Sequence, residues 1–208
     1  MTLFYTLHDD VTACMAQKDS PANRRSLIRA VFAFVEGFTY RFKLLALEFA
    51  SHQKNSLSVA ELSALSGQTF TVDDNGSIHA RRLQISPSAN LQLATRLAAR
   101  CFCVNIPEPA ESKVGWNRFN KAVKLRNRIT HPKTASDLVV SDAELKLTTH
   151  AFMWSISIIA LLLAAFAEKR IGEEDPTKIS SKQVDTKLDQ IRRRYMDAAS
   201  SIISHIDP

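Results

Sequence analysis

Two side chains near the middle of the chain have types and a spacing suited to chemistry on a phosphate group. Four residues separate Arg126 from His131, and the first of them is Asn127. A guanidinium presents a planar fork of N–H donors that matches two phosphate oxygens. An imidazole donates or accepts a proton near neutral pH. The pair therefore predicts a site that binds a phosphodiester and transfers protons on it.

The spacing of apolar residues predicts that these side chains lie on a helix that runs from about Asn117 and ends before Pro132. One face of this helix is apolar and consists of Phe119, Ala122, Val123, Leu125 and Ile129. Arg126 falls in the middle of that face, so we expect its guanidinium to pair with a carboxylate, a phosphate or water. Pro132 disfavours helical geometry at His131, which places the imidazole at the negative end of the helix.

The positive charge of the chain is concentrated around this helix. Residues 113–136 contain seven Lys or Arg and no Asp or Glu, and the whole chain carries +6, so the rest sums to −1. A local excess of this kind indicates an anionic partner such as RNA. Lys124, Arg128 and Lys133 are the candidate substrate-binding residues. A basic face that is only solvated is the alternative, and charge alone does not decide between them.

The Arg-Asn-x-x-x-His pattern, late on a basic helix, resembles the R-x4-6-H motif of the HEPN superfamily. Members are small all-helical domains of bacterial toxin, defence and RNA-processing systems, and many are metal-independent ribonucleases. The resemblance implies an all-α bundle and a homodimer in which the motifs of two protomers face each other across a cleft. Some members carry a Tyr two residues after the His, which a partner enzyme adenylylates. Lys133 stands there, so we do not expect that modification, while another antitoxin or regulatory partner stays open.

Ribonucleases that use no metal let the 2′-OH attack the adjacent phosphorus, which leaves a 2′,3′-cyclic phosphate and a 5′-OH. This reaction needs a base, an acid and positive charge on the phosphate. We expect His131 to transfer the proton and Arg126 to bind the phosphate. Asn127 lies one helical turn before His131 and is expected to orient it or the phosphate.

A purely structural interpretation of the same residues stays open. His131 would then be an ordinary histidine at a helix C-terminus. Arg126 would form an ion pair, with Glu36 on an earlier helix as the obvious partner, a contact that is also compatible with catalysis. The competing function is accordingly a non-catalytic helical module for dimerisation or for nucleotide or RNA binding.

The rest of the chain predicts one helical domain over residues 1–208. The chain contains only five glycines, and so low a number argues against a turn-rich β fold. Ser20 and Pro21 begin a central core helix that reaches about His52. Away from its apolar arc this helix carries a polar stripe, which consists of Arg25, Arg29, Glu36, Tyr40 and Lys43. Residues 55–87 predict an insertion with a short capped helix and a β-hairpin around Asn75-Gly76, which must pack on the helices to be stable.

Three further helices are predicted after the insertion, besides the basic one. The first runs from about Pro87 to Phe102, the next from Asp142 to about Arg170, and the last from about Ser180 to Ile206. Residues 151–167 form a run of 17 without a charge. This run fits a buried bundle helix and also lies at the lower limit of a membrane span, which is the alternative.

Metal and cofactor sites are not expected. The six histidines show no paired ligand spacing, and Cys101 and Cys103 lack a second half of a zinc site. The chain contains no Gly-rich phosphate loop or dinucleotide fingerprint. An odd number of cysteines and an N-terminus that turns acidic at Asp9 predict a protein of the reducing cytoplasm.

Overall fold

The computed structural model describes residues 2–52 and 57–173, and within them the chain is mostly helical with one two-stranded sheet, as predicted. A 3₁₀ helix covers Ala135–Leu138. The other elements are, in chain order, α1 (Thr2–Ala16), α2 (Pro21–His52), α3 (Val59–Ser66), β1 (Gln68–Val72), β2 (Ile78–Arg82), α4 (Pro87–Phe102), α5 (Glu108–Glu111), α6 (Lys113–Thr130) and α7 (Asp142–Glu173). The helix predicted at 180–206 lies outside the described residues.

Helix α2 is the central element, as its apolar arc predicts. Ser20 caps its N-terminus by accepting a hydrogen bond from the backbone N–H of Asn23, at 3.1 Å. Its buried side chains join two apolar clusters, one with α1, α6 and α7 and the other with α3, α4 and α7. Phe32 belongs to the first cluster and is 1% exposed, and Phe42 belongs to the second and is 3% exposed. Helix α6, at whose end Arg126 and His131 lie, is therefore packed against the longest helix in the first half of the chain.

Helix α6 begins earlier than predicted, because Ser112 caps it by accepting a hydrogen bond from Gly115 N–H at 3.1 Å. Its predicted apolar face is buried in the first cluster. Gly115 is required for this packing, since a Cβ there would overlap the indole ring of Trp154 on α7. The indole is fixed by a hydrogen bond from Nε1 to the carbonyl of Pro109, at 2.9 Å. The axis of α6 is thus set by α2 on one side and α7 on the other.

The insertion has the predicted short helix and hairpin. Ser58 and Glu61 form the capping box of α3, and β1 pairs antiparallel with β2, with Val72 opposite Ile78 at the turn. Gly76 adopts φ +80° in the turn, a conformation that favours glycine. The expectation that the hairpin packs on the helices is wrong for most of it, since nearly all its side chains are exposed. Phe70, for example, is 53% exposed.

Helix α7 contains the uncharged run. Its segment Asp142–Lys169 is long and apolar enough to cross a membrane, and 33% of the most apolar window is buried inside the chain. Length and composition do not separate a membrane span from a core helix. Phe152, Ile158 and Leu162 are fully buried, which is what a bundle helix requires.

Candidate functional site

Arg126 reaches from α6 to α2. Its Nη2 lies 3.0 Å from Oε1 of Glu36, the partner predicted for it. The arginine side chain is 26% exposed and that of the glutamate is 39% exposed. The guanidinium thus has the carboxylate partner that its position on the apolar face requires, and it stays partly exposed. A guanidinium has five N–H donors, so this one still has donors for a phosphate.

Asn127 is close to both predicted catalytic groups. Its side-chain Oδ1 accepts a hydrogen bond from Nη1 of Arg126 at 3.2 Å, and its backbone carbonyl accepts one from the N–H of His131 at 2.9 Å. The amide side chain therefore orients the arginine, whereas the contact with His131 is made through the backbone.

His131 is the residue that ends α6, with φ −125° and ψ 60°. Its side chain is exposed, and no described side chain hydrogen-bonds its imidazole. The loop that follows is fixed by Asp137, whose Oδ2 accepts hydrogen bonds from the backbone N–H groups of Lys133 and Thr134 at 2.8 and 2.9 Å. These two bonds hold the pKa of Asp137 below its usual range. The imidazole is thus open to solvent on an anchored turn.

The guanidinium of Arg128 contacts other groups of the chain and does not lie free for a ligand. Its Nη1 lies 3.0 Å from Oε1 of Glu144 at the start of α7, and its Nη2 donates to the carbonyl of Val139 at 2.8 Å. Burial raises the pKa of Glu144, but the hydrogen bonds from Ser141 and Arg128 outweigh it and lower the pKa overall. An RNA contact by Arg128 would have to compete with this ion pair.

Lys124 and Lys133 have exposed side chains. Lys124 lies on the outer face of α6 with two other exposed cations, Arg118 and Lys121. Neither Lys124 nor Lys133 forms an ion pair with any carboxylate in the described part of the chain. Both are therefore open to an anionic ligand.

Two arginines of α2 join the site, and their place in it was not predicted. Nη2 of Arg29 donates to the carbonyl of Ile129 at 2.9 Å, and Nη1 of Arg25 donates to the carbonyl of Leu138 at 3.3 Å. Within residues 2–52 and 57–173, neither forms an ion pair with a carboxylate. The signal was their spacing in the polar stripe of α2 with Glu36, but the sequence does not show that this stripe borders the end of α6.

The apolar face of α6 is covered by the chain's own helices. Phe119 and Ile129, for instance, are 1% and 0% exposed. A two-fold interface would have to use another surface.

The residues described are an open imidazole, a partly open guanidinium and two more arginines whose hydrogen bonds within the described part of the chain go to backbone carbonyls. A guanidinium can bind a phosphate group, and an imidazole can transfer a proton. Among the described residues, no group of three His, Cys, Asp or Glu is placed to hold a metal ion. Comparisons with protein-family models, with curated proteins and with solved structures find no match to this chain.

Proposed function

We propose that this protein is a metal-independent endoribonuclease of the HEPN type, which cleaves RNA by attack of the 2′-OH on the adjacent phosphorus. The observation that carries the proposal is the exposed imidazole of His131 on the helix that also presents Arg126. The basic charge of residues 113–136 supports RNA as the substrate. We place its action in the cytoplasm, in a bacterial toxin or defence system with an antitoxin or regulatory partner.

In this proposal Arg126 binds the scissile phosphate and stabilises the negative charge that develops on it. Glu36 and Asn127 hold the guanidinium in position through the contacts described above. Arg25 and Arg29 add positive charge beside the turn that carries His131. His131 transfers a proton to or from the reacting oxygens.

A single imidazole does not serve both as the base for the 2′-OH and as the acid for the leaving oxygen in one step. We therefore propose that two protomers pair and that each supplies one His131 to a shared site. Exposed cations around α6 repel each other in such a pair, and bound RNA offsets this repulsion. Dimerisation is then expected to be stronger when RNA is present.

The test is cleavage of single-stranded RNA by the purified full chain in EDTA. His131→Ala is expected to abolish cleavage. His150→Ala, which removes another exposed histidine on α7, serves as the matched control and is expected to retain it. Cleavage by His131→Ala at the wild-type rate would remove the catalytic assignment.

The second candidate is a helical module that binds RNA or nucleotides, or dimerises, without cutting. The ion pairs of Arg126 with Glu36 and of Arg128 with Glu144 favour it, because both also have structural roles. This candidate predicts RNA binding without cleavage, a lower stability of Arg126→Ala and no effect of His131→Ala.

A further inference from the structure

A cavity of about 470 Å³ lies between α2 and the hairpin, away from the His131 turn. Three cations line it, namely Lys43, Arg81 and Arg82, while none of its described lining residues is Asp or Glu. A cavity with this charge attracts an anion. One wall of the cavity is the hairpin, and most side chains of the hairpin are exposed to solvent.

Lys43 is the unusual residue of this cavity, because it is a lysine that is only 5% exposed. Its ammonium donates to the carbonyl of Ala64 at 2.9 Å and to Oδ1 of Asn90 at 3.1 Å, both of which are neutral. An ammonium has three donors, so one is left for a ligand. No carboxylate in the described ranges pairs with it. Burial lowers the pKa of Lys43, as expected for a charge that lacks a counterion.

The two arginines belong to β2, where Arg81 pairs with Thr69 and Arg82 with Gln68 in the register of the hairpin. Both side chains are exposed, and no described carboxylate forms an ion pair with either. Tyr40 also lines the cavity and is 54% exposed, so part of its ring is open to a ligand. Phosphate groups bind to arginine forks, and bases stack on aromatic rings.

From these observations we infer that the cavity binds the phosphate group of a nucleotide, either free or as part of an RNA strand. Lys43 donates its third N–H to the phosphate, and Tyr40 stacks on the base. Because successive side chains of a strand point to opposite faces, one of the two arginines, Arg81 or Arg82, binds the phosphate from the hairpin. Lys43 lies seven residues after Glu36 on the polar stripe of α2, which is about 10 Å along the helix. Arg29, seven residues before Glu36, contacts Ile129 near His131, so the cavity lies at the other end of this stripe from the His131 turn, and the site does not depend on cleavage.

The test is calorimetric titration of the full chain with three separate probes: inorganic phosphate, AMP and a short single-stranded RNA. Loss of one charge-assisted hydrogen bond lowers affinity by about tenfold or more. We expect that loss for the best-binding probe in Lys43→Met and in Arg81→Gln with Arg82→Gln. Arg96→Gln removes an exposed arginine of α4 outside the cavity and is expected to bind like the wild type.

Lys43→Met keeps the length of the side chain and removes a buried charge, so we expect it to melt no lower than the wild type. The double variant on the exposed hairpin gives the answer if Lys43→Met does not fold. Binding of AMP identifies a free nucleotide as ligand, and binding of RNA alone identifies a strand. His131→Ala separates the two proposals, because Lys43-dependent binding is expected to survive it. Equal binding by wild type and the double variant, or no binding of any probe, overturns the inference.

Discussion

Nη2 of Arg126 on α6 and Oε1 of Glu36 on α2 lie 3.0 Å apart, and this ion pair joins the motif helix to the central helix of the fold. It fixes a guanidinium that the neighbouring Asn127 also contacts. Because both partners are partly exposed, the pair contributes about 0 to 1 kcal/mol to folding. Its main effect in our account is to orient Arg126 for a phosphate.

The first prediction separates charge from geometry at Arg126. Arg126→Lys keeps the positive charge but loses the planar fork, so RNA cleavage is expected to fall about 10²-fold while the melting temperature changes little. Glu36→Gln is expected to lower cleavage less, because the guanidinium stays but is less well oriented. Glu168→Gln on α7 is the control. An Arg126→Lys protein as active as the wild type would argue against phosphate binding by the fork.

A second prediction contrasts two cations of α6. Arg128→Ala is expected to destabilise the fold by about 1 kcal/mol, since it leaves Glu144 without its ion pair. Lys124→Ala is expected to leave stability unchanged, weaken RNA binding and reduce the salt dependence of binding by about one unit of slope. Urea unfolding and RNA titrations at several salt concentrations check both. Weaker RNA binding with unchanged stability in Arg128→Ala would mean that Arg128 contacts RNA.

The packing of α6 on α7 gives a third prediction. Gly115→Ala is expected to cost about 1–3 kcal/mol in urea unfolding, because the new methyl overlaps the fixed indole of Trp154. Gly37→Ala on α2 is the matched control, where a Cβ would lie 2.6 Å from Cδ1 of Leu7, the movable end of a side chain. Its cost is expected to be smaller, since alanine also favours the helix. Equal costs would contradict the tight contact at Gly115.

The fourth prediction concerns the stability of the fold at acidic pH. The Arg100 guanidinium lowers the pKa of Glu61 from 4.5 to about 2, with help from the N–H of Ser58. A carboxyl whose pKa is lower in the folded state stabilises above the unfolded pKa and loses this contribution as pH falls. The difference in unfolding free energy between wild type and Glu61→Gln should therefore shrink between pH 4.5 and about 2. A constant difference over this range would mean that the ion pair does not form.

Local signals predicted the elements well. Ser20-Pro21 marked the start of α2, the Ser58 and Glu61 box marked α3, and Asn75-Gly76 marked the hairpin turn, because each acts through neighbouring backbone groups. The short α5 was not among the predicted elements, because Pro107 and Pro109 are typical of a loop. Apart from the pair of Arg126 with Glu36, the sequence pattern did not predict which residues distant in sequence meet.

The polar stripe of α2 shows this limit. It was assigned to a face away from the core, yet Arg29 binds the end of α6 and Lys43 is nearly buried beneath the insertion. Likewise Arg128 meets Glu144 only because the chain turns back after Pro132. These contacts depend on how whole helices cross, and residue periodicity does not contain that information.

The most direct test of the account is the chemistry of the RNA ends after digestion in EDTA, determined by mass spectrometry. Attack by the 2′-OH predicts 2′,3′-cyclic phosphate and 5′-OH ends with the wild type, and intact RNA with His131→Ala. Ends that carry a 5′-phosphate and a 3′-OH, or the same products from His131→Ala, would contradict it.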